Sequence, residues 1–286
     1  MNVIETKNIS KHFKTLKALD DISIQVREGE IYGFLGLNGA GKTTLIRILL
    51  GMIKQSNGLV LLFGKNISKD FKQWNDIGYL VETPYSYPNL SVAENLSVYY
   101  LLRKLKNKRL IDEIIEKLNL TDYINTKAKH LSLGNQQRLG LAKALMHNPK
   151  LLILDEPING LDPEGIVEIR ELLKDLSNKG TTIFLSSHIL KEISHLANRI
   201  AIIHKGKLLE ELNTDELQNR LVKKLLIKTN DNEIALNYLR DYKAVIKGSE
   251  IEITDEKAIE KPEDISALLA FKGASCKANI YIQRRP

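Results

Sequence analysis

Nine consecutive residues have the composition and spacing of a phosphate-binding loop. Residues 30–35 form a short apolar run before them, and residues 42–53 show helical periodicity after them, the context that the pattern G-x-x-x-x-G-K-[ST] requires. Glycines let the backbone curl so that successive amides face a polyanion, and the N-terminus of the next helix adds partial positive charge. Both flanks disfavour the alternative of a chance glycine-rich turn. The nine residues are Gly36, Leu37, Asn38, Gly39, Ala40, Gly41, Lys42, Thr43 and Thr44.

Two side chains of this loop have predicted roles toward a nucleoside triphosphate and its metal ion. Lys42 is expected to bridge the β- and γ-phosphates, so we assign it to catalysis as well as to nucleotide binding. The Thr43 hydroxyl is expected to ligate Mg²⁺. ATP and Mg²⁺ are the predicted cofactors.

Two carboxylates follow the apolar run 151–154. Asp155 is expected to hold the magnesium ion through water. Glu156, one residue on, is expected to point to the opposite side of the strand and to polarise the attacking water as a general base. An acidic turn before Pro157 is the alternative, and the phosphate-binding loop elsewhere in the chain makes it the weaker interpretation.

The segment 131–138, LSLGNQQR, gives the sequence its family resemblance. With the two motifs above, it resembles the ATP-binding subunit of an ABC transporter, whose signature is more often LSGGQ. Leu133 and Asn135 depart from that form, whereas Ser132 and Gly134 are kept. The resemblance implies that Ser132 and Gly134 complete the ATP site of the other subunit in a head-to-tail homodimer. The alternative is a serine that caps the N-terminus of an ordinary surface helix.

Three further matches to the family carry implied roles. Phe13 lies 29 residues before Lys42, where the family places an aromatic ring that stacks on adenine, although a lone phenylalanine is more often a core residue. Asp162 ends a segment that resembles the loop communicating across the dimer. His188 resembles the switch histidine that contacts the γ-phosphate, which makes it a predicted catalytic residue.

Glu82 is a departure from the family pattern. After the strand-like run 77–81 the family usually has a glutamine that reaches Mg²⁺ and senses the permease, and this chain has Glu82. A carboxylate ligates Mg²⁺ at least as well, and it adds a negative charge near the γ-phosphate. With residues 87–96, this position resembles the bacitracin-resistance and lantibiotic-immunity branch of exporters. The alternative is a solvated loop charge.

The order of predicted elements indicates an α/β fold built on a P-loop NTPase core. Strand-like runs alternate with crossover helices, as in a mostly parallel sheet covered on both faces. The alternating runs 3–8 and 18–25 predict an antiparallel β-subdomain, and helical patterns predict a helical subdomain at about 89–147. The nucleotide-binding domain is predicted to span 1–217.

A small α+β accessory domain is predicted at 221–286. The rhythm restarts there as strand, helix, strand, strand, helix, strand, with a last strand at 278–283, and it resembles a split βαβ arrangement. The family often ends such chains with a Leu-Glu-Asp-x-Phe-like segment. This chain has none, so we expect a truncated domain.

Composition limits where the protein acts. No apolar run approaches the ~20 residues that cross a bilayer, and no secretory signal is visible. The single cysteine, Cys276, fits a reducing compartment and is expected to be a small buried hydrophobe. The expected location is cytoplasmic, peripheral on the inner face of the cell membrane. The chain has a net charge of +7, and its densest basic stretch is 103–109. This stretch fits a solvated loop or contact with anionic lipid head groups.

The resemblance implies the ATP-hydrolysing subunit of a transporter. A homodimer would couple hydrolysis to export of a drug, peptide antibiotic or lantibiotic through a separate membrane permease. The alternative is a soluble ABC ATPase acting on ribosomes or nucleic acid. Translation-type members carry two such domains and DNA-repair members carry long coiled coils, so no nucleic-acid partner is expected. A regulatory module without hydrolysis would lack Glu156 or His188. The cargo is not specified, because its path belongs to the permease.

Overall fold

A computed structural model describes residues 1–67, 71–82, 85–220, 222–271 and 281–285 of the chain. The chain divides into two compact units, Met1–Thr214 and Asp215–Pro286. This division falls at the start of a helix, a few residues before the predicted boundary at 217–221. Cys276 and the first residues of the strand predicted at 278–283 lie outside the described residues.

The first unit contains eleven strands and six helices among the described residues. In chain order they are β1 (Asn2–Phe13), β2 (Leu16–Ile22), β3 (Gln25–Arg27), β4 (Ile31–Leu35), α1 (Lys42–Leu49), β5 (Asn57–Leu62), β6 (Lys65–Asn66), β7 (Ile77–Leu80), α2 (Val92–Leu102), α3 (Arg109–Lys117), α4 (Leu133–Leu145), β8 (Leu151–Asp155), α5 (Pro163–Asn178), β9 (Thr182–Ser187), α6 (Leu190–Ser194), β10 (Arg199–His204) and β11 (Lys207–Asn213).

The predicted parallel sheet is confirmed. Six strands lie in the order β11-β10-β4-β9-β8-β7, and all neighbours are parallel except β11 and β10. Every residue of β8 and β9 is buried, as expected for strands covered on both faces. Because carboxyl ends of parallel strands share one edge, this sheet brings the residues that follow β4, β7, β8 and β9 together.

The predicted antiparallel layer is also present, with the order β2-β1-β5-β6 and β3 paired to β1. The run 18–25 is not one strand, contrary to the prediction, because β2 ends at Ile22 and β3 begins at Gln25. Thr6 spans the break. Its hydroxyl donates to the Ile22 carbonyl oxygen at 3.1 Å and accepts from the Ile24 amide at 2.9 Å.

Two helical predictions have different outcomes. The helix predicted at 42–53 is shorter and ends at Leu49, because Gly51 adopts a left-handed φ of +66° that an α-helix excludes. Helix α2, in the predicted helical subdomain, begins at a capping box formed by Ser91 and Glu94. The Ser91 hydroxyl accepts from the Glu94 amide at 3.2 Å, and the Glu94 carboxylate accepts from the Ser91 amide at 2.6 Å.

The second unit has the predicted α+β order. Its elements are α7 (Thr214–Arg220), which begins at the unit boundary, β12 (Val222–Ile227), α8 (Asn232–Tyr238), β13 (Ala244–Lys247), β14 (Glu250–Ile253), α9 (Glu256–Glu260), α10 (Pro262–Phe271) and β15 (Tyr281–Arg285). The strands form an antiparallel sheet in the order β13-β14-β12-β15. Its apolar core includes Leu225, Ile251, Ile265 and Leu269, all buried.

None of the helices in the described part of the chain combines the length and the hydropathy that a membrane span needs.

Candidate nucleotide-binding and catalytic site

A cavity of about 1060 Å³ opens at the carboxyl edge of the parallel sheet. Its walls come from the loop between β4 and α1, the end of β1 with the start of β2, the residues that follow β7 and β8, the first turns of α4, and the turn between β10 and β11. Residues predicted to bind nucleotide form part of its lining, among them Phe13, Asn38, Gly39, Gly41, Lys42, Thr43, Thr44, Glu82, Asp155 and Glu156.

The phosphate-binding loop packs closely at two glycines, Gly41 against β2 and Gly36 against β10. Gly41 has a φ of +112°, and a Cβ built there would lie 2.7 Å from the Ala18 carbonyl oxygen. A Cβ at Gly36 would lie 2.6 Å from the Ile203 carbonyl oxygen. Both positions therefore require glycine for space, and Gly41 requires it for its backbone conformation as well.

Lys42 is held beneath the loop by its own backbone. The side chain is 6% exposed, and its ammonium group donates to the Gly36 carbonyl oxygen at 2.7 Å. The Leu37 carbonyl oxygen lies 3.4 Å from the same nitrogen, and the Glu156 carboxylate lies 3.3 Å away. A buried ammonium with these partners is a positive charge fixed where the loop would place phosphates.

The two predicted magnesium ligands Thr43 and Asp155 are in direct contact. The Thr43 hydroxyl donates to Asp155 Oδ2 at 2.7 Å, and the buried Asp155 accepts a short bond from the Ser186 hydroxyl on its other oxygen. A hydroxyl and a carboxylate are hard oxygen donors, and a Mg²⁺ ion that keeps several waters needs few protein ligands. The donor set therefore fits the predicted magnesium ion.

The Glu156 side chain lies beside the phosphate-binding loop, although strand alternation predicts that it points to the opposite side of β8 from Asp155. Strand β8 ends at Asp155, and Glu156 adopts a left-handed φ of +49°, so the alternation no longer applies. Asp155 bonds Thr43 while Glu156 lies beside Lys42, so the two carboxylates contact neighbouring residues of one loop. The Glu156 amide is fixed by the Ser186 carbonyl oxygen at 3.2 Å.

Glu156 and His188 form a hydrogen-bonded pair. His188 Nδ1 lies 2.9 Å from Glu156 Oε2, and the histidine follows the end of β9. A carboxylate with a histidine at one oxygen and an ammonium at the other is restrained in orientation. This arrangement suits a base that must face a water molecule near the γ-phosphate.

The turn that carries His188 is braced by a second carboxyl group, Glu192. The Ser187 hydroxyl donates to the Glu192 carboxylate at 3.4 Å and accepts from the Ile189 amide at 3.0 Å. Burial raises the pKa of Glu192 above its ordinary value, against the opposing effect of the Ser187 hydrogen bond and the charge of His188. Glu192 was not among the site residues predicted from the sequence.

Phe13 lies at the mouth of the cavity. It ends β1, its side chain is 44% exposed, and the Lys11 ammonium lies 4.9 Å from the ring centroid. An exposed ring at a cavity is not a core residue, which favours the predicted stacking role.

Replacing Phe13 with alanine is expected to weaken ATP binding by about 1–3 kcal/mol, the scale of base–aromatic stacking. Calorimetric titration of ATP into both proteins measures the change. Leu16→Ala removes another exposed apolar side chain from the same cavity and is the control, with a smaller expected loss. Equal affinities of wild type and the Phe13 variant would exclude stacking.

Glu82 lines the cavity but does not contact the metal-site pair. It adopts a left-handed φ of +54° directly beyond β7, and its carboxylate accepts from the Arg47 guanidinium at 2.8 Å. Glu82 is therefore an exposed loop residue whose carboxylate forms an ion pair with Arg47.

Comparison with known proteins identifies the family. A family model described as ABC transporter matches residues 19–159. The bacitracin transport ATP-binding protein BcrA of Bacillus licheniformis is 46% identical over 236 residues, covering 82% of this chain and 77% of that protein. The lantibiotic transport ATP-binding protein SrtF of Streptococcus pyogenes is 36% identical over 217 residues, covering 76% and 93%. A solved ATP-binding subunit of an ABC transporter matches with a TM-score of 0.69 at 26% identity, covering 76% and 92%. This chain belongs to the ATP-binding subunits of ABC transporters.

As a member of this family the protein binds ATP and is an ATPase. The alternative of an ABC ATPase that acts on ribosomes or nucleic acid gains no support from these relatives, since both are named for transport.

In this ABC ATPase Ser132 and Asp162 cap helices within their own chain. Ser132 is the N-cap of α4 and accepts from the Asn135 amide at 3.2 Å, a contact that does not test its predicted role toward nucleotide. Asp162 caps α5 by accepting from the Gly165 amide at 3.1 Å. A Cβ at Gly134 would lie 3.1 Å from the Gly160 carbonyl oxygen. These three residues are not in the cavity lining of their own chain, so their contact with nucleotide stays a prediction.

The ABC site also uses residues that the sequence analysis left unassigned. Ser186 bonds Asp155, and the buried Gln137 donates to the Glu156 carbonyl oxygen at 3.0 Å. The sequence could have indicated both residues, because Ser186 lies at the strand end that carries His188 and Gln137 belongs to the signature segment 131–138.

Proposed function

We propose that this chain is the energy-coupling ATPase of an exporter that removes peptide antibiotics of the bacitracin or lantibiotic type. The observation that carries the proposal is its similarity to the bacitracin transport protein BcrA over most of both chains. The lantibiotic transport protein SrtF supports the same substrate class. The location that follows is the inner face of the cell membrane, bound to a separate permease.

The proposed chemistry uses residues that line the cavity, the histidine that contacts one of them, and two residues from a second copy of the chain. Lys42 holds the β- and γ-phosphates, and Thr43 with Asp155 holds a hydrated Mg²⁺ ion, which supplies charge neutralisation when bound. Glu156 accepts a proton from the attacking water, and His188 orients the carboxylate and contacts the γ-phosphate. Ser132 and Gly134 face the nucleotide bound by the other copy in a head-to-tail dimer. Because each ATP site then needs residues from both copies, an isolated chain is expected to hydrolyse ATP slowly until it dimerises.

A second cavity, of about 400 Å³, supports the permease proposal. It lies between the ends of α1 and β7 and the helices α2 and α4, and its lining includes Glu82, whose counterpart in the family senses the permease. Four tyrosines line it, the exposed Tyr79, Tyr85 and Tyr87 and the half-buried Tyr99. Aromatic residues of this kind are enriched at protein interfaces. We call this second cavity the tyrosine groove.

The loop along the tyrosine groove is fastened from two sides. Asn95 of α2 accepts from the Tyr87 amide at 2.8 Å and donates to the Tyr87 carbonyl oxygen at 3.1 Å. Lys143 of α4 donates to the Tyr85 carbonyl oxygen at 2.8 Å and to the Ser86 hydroxyl at 2.7 Å. Burial lowers the pKa of Lys143 to about 8. The Lys143 bonds connect the groove to α4, the helix capped by Ser132, so a permease docked here would act on that helix.

Deleting the gene for this chain is expected to sensitise the host cell to bacitracin or to a lantibiotic. The minimal inhibitory concentrations should be restored by the wild-type chain and not by Glu156→Gln, because export requires hydrolysis. An antibiotic with an intracellular ribosomal target serves as the control and should be unaffected. Unchanged susceptibility to every peptide antibiotic tested would contradict the proposed substrate class.

A further inference from the structure

The ion pair between Arg47 and Glu82 lies where the nucleotide cavity and the tyrosine groove meet. Arg47 is in the last turn of α1, and Glu82 lines both the nucleotide cavity and the tyrosine groove. Their side chains are 42% and 55% exposed, and the guanidinium lies 2.8 Å from Glu82 Oε1. Arg47 also lines the tyrosine groove.

The position of Arg47 on α1 sets the distance from this ion pair to the metal site. Thr43 and Arg47 are four residues apart on one helix, so they share a face one turn apart. Asp155 bonds Thr43, and Glu82 bonds Arg47. Two carboxylates are thus bound at successive turns of the same helix. A Glu82 carboxylate that binds Arg47 must leave it to reach a metal ion held at Thr43.

We propose that Arg47 is a positioning residue that competes with Mg²⁺ for Glu82. Without nucleotide, Arg47 holds the carboxylate one turn away from the metal site and neutralises its charge. When metal-bound nucleotide takes Glu82, the guanidinium loses its partner and becomes a free cation in the tyrosine groove. Metal binding in one cavity thereby changes the charge that a docked permease meets in the other. This inference depends on the proposed magnesium site.

The test is a double-mutant cycle with Mg²⁺ as the titrant. Binding of a fluorescent ATP analogue is followed in wild type, Arg47→Gln, Glu82→Gln and the double variant while Mg²⁺ is added. Arg47→Gln is expected to lower the half-saturating Mg²⁺ concentration by about two- to fivefold, the scale of an exposed ion pair. In the Glu82→Gln background the same arginine substitution should produce no shift, since no carboxylate remains to be released.

Lys174→Gln is the matched control, because it also removes one positive charge from an exposed ion pair, at 3.4 Å from Glu171. It should leave the Mg²⁺ titration unchanged. An unchanged midpoint in Arg47→Gln, or an equal shift with and without the Glu82 carboxylate, would overturn the competition. Absence of any Mg²⁺ dependence in wild type would instead contradict the proposed metal site, so the two failures are distinguishable.

Discussion

Glu156→Gln is expected to lower the rate of ATP hydrolysis by about 10²–10⁴-fold, the usual contribution of a positioned general base. The amide has nearly the same shape as the carboxylate but cannot accept the proton of the attacking water. Its oxygen still accepts from Lys42, which lies 3.3 Å from the native carboxylate. The phosphate-binding loop should therefore remain intact, and ATP affinity should stay close to that of wild type.

Two measurements separate catalysis from binding in this variant. Phosphate release reports hydrolysis, and calorimetric titration reports ATP affinity. Size-exclusion chromatography with ATP is a third readout, because a dimer closed on two uncleaved nucleotides should persist. Glu164→Gln, an exposed carboxylate in the first turn of α5, is the control and should retain wild-type turnover. If Glu156→Gln hydrolysed ATP at the wild-type rate, the base would have to be another group.

The nucleotide cavity could be predicted well where the chemistry is local in sequence. The loop 36–44 carries its own context, since a strand precedes it, a helix follows it, and glycines occupy the positions that need them. The proximity of Asp155 to Thr43 could also be predicted, because parallel strands end at the same edge of a sheet. Short motifs were sufficient for both.

The orientation of Glu156 could not be predicted, because it depends on where β8 stops. An apolar run ending in two carboxylates does not reveal that the second one leaves the strand with a φ of +49°. That conformation is fixed by distant groups, the Ser186 carbonyl oxygen on β9 and the Gln137 side chain on α4. Backbone strain of this kind clusters at functional sites, where surrounding structure enforces it.

The partner of Glu82 was also beyond sequence analysis. Arg47 precedes Glu82 by 35 residues and lies on a different element, and nothing in the intervening sequence joins them. Periodicity places Arg47 on the polar face of α1, where many arginines are solvated. Only the packing of α1 against β8, the strand paired with β7, brings the guanidinium to the carboxylate, and the proposed competition with Mg²⁺ rests on that contact.

The substitution Gly41→Ala is expected to be the most damaging change of a single methyl group in the phosphate-binding loop. A φ of +112° is strained for alanine, which costs about 1–3 kcal/mol. The new Cβ would also lie 2.7 Å from the Ala18 carbonyl oxygen and 2.8 Å from Leu19 Cδ2, an overpacking that costs about 1–3 kcal/mol more. The free energy of unfolding should fall by the sum of these costs.

Relief of the clash would move the loop, so nucleotide binding should suffer together with stability. Loop amides that lose their alignment with a charged phosphate forfeit about 1.5–3 kcal/mol for each hydrogen bond, so ATP affinity should fall by at least about tenfold. Urea unfolding without nucleotide and ATP titration measure the two effects separately. Both should change in the same protein.

Gly180→Ala is the matched control, because Gly180 has a φ of +96° but nothing within 4 Å of a built Cβ, and it lies outside the lining of the nucleotide cavity. It has the backbone strain without the clash, so its stability loss should be smaller and its ATP affinity unchanged. Equal losses of stability in the two variants would mean that the loop yields to the methyl group at no cost. In that case the close approach of Gly41 to Ala18 would not hold the loop in shape, and the amides would have to be aligned by the nucleotide itself.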